Sequence, residues 1–148
     1  MARTWRILLL ATLALWLGGL TFYALVVVPV GTQQLGATSQ GFITERVTAR
    51  LNWLACVVLL VVLVDLVRVR DRFRIALWLF MVLCQVALFL MHAQLRSLMD
   101  FRNHDVDSSF YAAHRIYLLV TAAQWLAGWA CFASIVSAGS EPAAKSEQ

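Results

Sequence analysis

Residues 7–30, 75–95 and 116–139 contain no aspartate, glutamate, lysine or arginine. A helix that crosses a bilayer needs about 20 apolar residues, because about 30 Å of hydrocarbon is traversed at about 1.5 Å per residue. Each run meets that requirement. The chain is 61% hydrophobic and 14% charged, against about a quarter charged in soluble proteins. Its mean hydropathy is +0.76. A soluble fold of this size has too little interior for so much apolar surface, so the excess must face lipid.

A fourth run, residues 51–64, is too short to span alone and must take in Arg50 or Asp65. Both fall within about a turn of an interface, where long side chains snorkel and an acid stays hydrated. Asp65 precedes Arg68 by three residues, which puts the two on one helix face. The spacing therefore predicts an all-α, four-helix transmembrane bundle of antiparallel, up-down topology. The spans fall at about 7–30, 47–67, 75–96 and 114–137, in one domain over 1–139. Residues 140–148 are small and polar and read as a disordered tail. The first run follows Arg3 and Arg6 as a signal peptide would, but it runs on through Val26-Val27-Val28 without an A-x-A-like site. It is expected to be a retained span.

Seven of the twelve basic residues lie on one side of such a bundle: Arg3, Arg6, Arg68, Arg70, Arg72, Arg74 and Lys145. On the other side Arg46, Arg50, Arg96, Arg102 and Arg115 are offset by Glu45, Asp100, Asp105 and Asp107. The positive-inside rule puts the arginine-dense link, and both termini with it, in the cytoplasm. The net charge of +4 thus reflects orientation, and no basic-aromatic stretch outside the spans points to nucleic acid. The partner is the lipid bilayer, with room for a membrane-protein complex or homo-oligomer.

Trp5, Trp53 and Trp78 fall at predicted interfaces, whereas Trp16, Trp125 and Trp129 are expected to pack between helices. Ala14 with Gly18, and Ala123 with Ala127, form small-xxx-small pairs that permit close helix approach. Pro29 removes a backbone donor, and with Gly31 it is expected to end the first helix. Cys56, Cys84 and Cys131 lie inside apolar runs without CxxC spacing and read as small buried side chains.

Polar groups converge toward the outer leaflet. Gln85, His92 and Arg96 share one face of the third helix; His114, Tyr117, Thr121 and Gln124 line a stripe on the fourth. Such groups are costly in lipid and should point inward. His92 and His114 flank the loop 98–113, which holds His104 and three aspartates. Three readings stay open. The stripes form an interhelical hydrogen-bond network; or His92, Arg96, His114, Arg115, Tyr117 and Gln124 line an outward cavity for an anionic or polar ligand; or histidines hold a cofactor. No cofactor is predicted from the first two readings. In the third, His92, His104 and His114 are weak candidates for haem or a divalent metal, as in a membrane subunit of an electron-transfer assembly. No H-E-x-x-H, G-x-S-x-G or phosphate-binding loop occurs, so a transport, tolerance or accessory role is expected rather than an enzyme.

Gly19-Leu20-Thr21-Phe22-Tyr23 continuing to Val28-Pro29, the segment Gln40-Gly41-Phe42-Ile43-Thr44-Glu45-Arg46-Val47-Thr48, and Phe110-Tyr111-Ala112-Ala113-His114 together resemble a family. It comprises small four-span bacterial membrane proteins of unknown function, transmembrane-protein-205-like and distantly similar to copper-resistance D-type domains. The resemblance implies a four-helix fold and a location in a bacterial plasma (inner) membrane, with Pro29 and His114 as shared positions. It departs at His114-Arg115-Ile116-Tyr117, where that family more often has glycine and serine.

Overall fold

A computed structural model describes residues 3–100, 102 and 105–138. His104 and the 140–148 segment lie outside the described residues. Four helical spans long and apolar enough to cross a membrane make up the molecule, so the chain is a multi-pass integral membrane protein. α1 (Arg3–Phe22) passes through a π-helical turn, Tyr23–Val27, into α2 (Val28–Leu35). Gly36 breaks the chain at φ 80°, and α3 (Ala37–Val69) begins at once. α4 is Arg72–Ser97 and α5 is Phe110–Ser137. Between them lies a small antiparallel pair, β1 (Met99–Asp100) and β2 (Asp105–Val106).

The contacts run in opposite directions along neighbouring helices, as antiparallel packing requires. Arg74 meets Ser134, and further along Gln124 meets Met81; Asp65 meets Arg74, and at the far end Glu45 meets His92. The α3–α4 hairpin needs only two residues. Arg70 adopts the left-handed conformation at φ 52°, its N–H closing on Leu66 O at 2.9 Å. Asp71 Oδ1 then caps α4 by accepting from Phe73 N at 2.9 Å, which satisfies a donor the helix leaves free.

Two sequence expectations are corrected here. The first helix does not stop at Pro29 and Gly31. The π turn inserts a wider i to i+5 step, with Val28 N–H reaching Tyr23 O, so Pro29 falls in the first turn of a new α segment. There its missing N–H costs little and its fixed φ is helical. With 33 residues each, α1–α2 and α3 are about 50 Å long and overrun the hydrocarbon at the end opposite Arg70. Second, Ala14 and Gly18 are exposed, and a Cβ on Gly18 would meet nothing within 4 Å. The close approach occurs instead at Gly128, where a Cβ would stand 2.6 Å from the Trp16 ring.

The main core joins Leu9, Leu13, Trp16 and Leu17 to Val58, Val62, Met81, Cys131 and Ile135. A smaller cluster of Leu88, Leu95 and Tyr117 lies toward the β pair. Leu15, Leu25, Leu60, Leu83, Leu90 and Leu119 are instead about two-thirds exposed; in a bilayer this is the lipid-facing surface. Trp53 is exposed, edge-on to Phe89. Trp129, expected between helices, is 42% exposed and stacks edge-on with Trp125 and Phe132.

Candidate functional site

Buried polar residues gather in three layers. At the arginine-rich end, Asp65 and Arg74 are 1% and 3% exposed. Arg74 Nη1 lies 3.5 Å from Asp65 Oδ2, its Nε lies 3.3 Å from Asp71 Oδ2, and its Nη2 donates to Ser134 O at 3.0 Å. Trp5 Nε1 donates to Asp65 Oδ1 at 3.2 Å, and the Arg68 guanidinium covers the Trp5 ring at 4.7 Å. Arg6 donates to Val136 O at 2.9 Å, satisfying a carbonyl at the end of α5. All four spans are thereby tied. Asp65 takes its ion pair from Arg74 rather than from Arg68, because its side chain turns into the bundle while Arg68 turns outward to Trp5.

In the middle layer Gln124 Nε2 donates to Gln85 Oε1 at 2.9 Å and to Met81 O at 3.1 Å. Trp125 Nε1 donates to Thr21 Oγ1 at 3.0 Å. Asn52 Nδ2 donates to Tyr117 Oη at 3.2 Å. These bonds join α1, α3, α4 and α5 in pairs. Gln124, read from the sequence as a cavity residue, is a packing residue of this layer.

Above it, away from the arginine-rich end, a cavity of about 300 Å³ opens among α2, α3, α4 and α5. His92, Arg96, His114 and Tyr117 line it, as the sequence stripes predict. Arg115 does not. It follows His114 by about 100° around the helix and is exposed. His114 stacks between Phe110 and Tyr117, with centroids at 5.6 and 6.4 Å and ring planes within 9° and 8°. His92 is tilted against Tyr117 at 6.5 Å. The two histidines therefore approach one tyrosine from two helices. Among the described residues no three histidine, cysteine or acidic side chains come together as a metal-binding group.

Tyr23, Gln40, Thr44 and Glu45 are among the lining residues that were not read as site residues from sequence. The Glu45 carboxylate, 9% exposed, lies 3.5 Å from His92 Nε2 and 3.8 Å from Arg96 Nη1, whose own side chain is 67% exposed. Tyr23 is 9% exposed. Its hydroxyl approaches Thr44 but has no hydrogen bond of normal geometry among the described residues. Gln40 fills the space beside Gly31, where any Cβ would collide with its amide. The signal for these residues was present. Gln40, Thr44, Thr48 and Asn52 recur every four positions, one polar helix face, but a span starting at 47 cut it short.

The rim is pinned by the β pair and the start of α5. Asp107 Oδ1 accepts from Ser109 N at 2.8 Å and from Ser109 Oγ at 2.6 Å. These two donors hold the exposed Asp107 carboxyl below the ordinary carboxylate range. Asp107 N–H closes on Leu98 O at 3.0 Å, which sets where Phe110 enters the cavity wall. Comparison of the chain with protein-family models, with curated proteins and with solved structures finds no match.

Proposed function

We propose that this protein binds a small ligand in the cavity beside Tyr23, Glu45 and His92, and serves as a transport, tolerance or accessory component without catalysis of its own. The observation that carries this reading is the cavity of about 300 Å³ itself, on whose wall Glu45 is 9% exposed and the buried Tyr23 hydroxyl approaches Thr44 without a hydrogen bond of normal geometry. A buried polar group without a good hydrogen bond costs about 1–3 kcal/mol, and a bound molecule that supplies one recovers it. The arginine-rich hairpin faces the cytoplasm by the positive-inside rule, so the cavity opens outward, in a bacterial inner membrane. At the opposite end the Asp65–Arg74 network closes the bundle, so the reading is of a site entered from one side.

Accessibility tests it. With the three cysteines replaced by alanine, Thr44→Cys should react in intact cells with a membrane-impermeant maleimide. A chain keeping only Cys131, which is 0% exposed beside the closed end, should not react. A folded Thr44→Cys chain that stays unlabelled would remove the outward cavity and the function built on it.

A further inference from the structure

The acid is the least solvated of the ion-pairing side chains on the cavity wall. Glu45 is 9% exposed, against 18% for His92, while Arg96 reaches into solvent at 67% side-chain exposure. Water screens the arginine far more than the carboxylate. An anion entering the site would meet Glu45 first and would have to displace its contacts to His92 and Arg96. A cation is attracted to Glu45 and has only to take over these contacts. Those contacts, at 3.5 and 3.8 Å, are longer than the roughly 2.8 Å of a charge-assisted hydrogen bond. A bound N⁺–H at that distance would be the better partner.

The rest of the wall fits the same chemistry. Tyr23, Phe110, Tyr111 and Tyr117 present aromatic rings to the cavity, and an ammonium over such a face gains about 0.5–2 kcal/mol. The Tyr23 oxygen, which approaches Thr44 without a hydrogen bond of normal geometry, has room to accept an N–H. Val28, Leu95 and Met99 supply an apolar remainder suited to a hydrocarbon or aryl tail. From the buried Glu45 carboxylate, the Tyr23 hydroxyl and the aromatic wall we infer that the ligand is a hydrophobic amine, bound as its ammonium ion. Glu45 is the anionic anchor. The inference rests on the cavity being the ligand site and reverses the sign of ligand that the arginines and histidines alone would favour.

Equilibrium dialysis of the full-length protein in detergent micelles, corrected with empty micelles, tests the inference with two probes of similar size and opposite charge. The wild-type chain should bind 2-phenylethylammonium and should not bind 3-phenylpropionate. Glu45→Gln should weaken the ammonium about tenfold or more, and Tyr23→Phe a few-fold. Binding of 3-phenylpropionate in preference, binding of the ammonium unchanged by Glu45→Gln, or no binding of the ammonium to wild type would each overturn it. The wild-type comparison needs no variant to fold. Thr44→Cys labelling separates the two levels: a labelled cavity that prefers the carboxylate leaves the site standing and removes only the amine.

Discussion

At the arginine-rich end Asp65 and Arg74 meet Trp5, Asp71 and Ser134, with Arg74 Nε 3.3 Å from Asp71 but without a hydrogen bond of normal geometry. At the cavity end Glu45 stands 3.5 Å from His92, and the Tyr23 hydroxyl approaches Thr44, also without a hydrogen bond of normal geometry. Both ends set an acid beside an arginine, at 3.5 and 3.8 Å, but at the first both side chains are buried and at the second they line a cavity of about 300 Å³. The difference separates two uses of polar groups in a membrane helix. Where both charges are buried against each other they fix helix register; where they line a space, they are available to something else.

The sharpest way to break this contrast is at the closed end. Arg74→Ala or Asp65→Ala strands a buried charge and should cost about 3–5 kcal/mol, measured by denaturant unfolding in mixed micelles. Replacing both, by Asp65→Leu with Arg74→Met, should recover most of that loss, since the cost lies in the unpaired partner. The layer between the ends comes next. Gly128→Ala drives a methyl into the Trp16 ring and should cost about 1–3 kcal/mol, whereas Gly18→Ala, with nothing nearby, should be close to neutral. Gln124→Leu removes two interhelical bonds and should cost about 1 kcal/mol. The smallest effect is at the rim. Asp107 should titrate below the ordinary carboxylate range by NMR, and Ser109→Ala should raise it. Because that pKa is depressed in the folded chain, its contribution is present above the unfolded value and lost as pH falls through the folded one.

Much of this was legible in the sequence. The uncharged runs gave the spans, and the i, i+3 and i+4 stripes put His92, Arg96, His114 and Tyr117 on one cavity. Helix ends were not legible. Pro29, Gly31 and the polar residues after them read as a break, because a π turn that makes proline harmless leaves no mark in composition. That error hid Gln40, Thr44 and Glu45, and with Glu45 the one acid among the described residues of the cavity wall. Partner choice was equally out of reach. Asp65 has Arg68 within a turn, but its partners Trp5 and Arg74 come from other helices, and only packing brings them in. The small-xxx-small pattern at Ala14 and Gly18 misled for a related reason: small residues permit contact from any side, and here Gly128 was the one against a neighbour.

The central claim is that Glu45 serves the cavity while Asp65 serves the fold. It is tested most directly by neutralising each acid isosterically, Glu45→Gln and Asp65→Asn, and measuring unfolding of the two variants side by side. The account predicts that Asp65→Asn loses about 3 kcal/mol or more. It predicts that Glu45→Gln stays within about 1 kcal/mol of wild type, as a functional acid not optimised for stability should. Equal, large losses in both variants would contradict it and make the cavity end another structural layer.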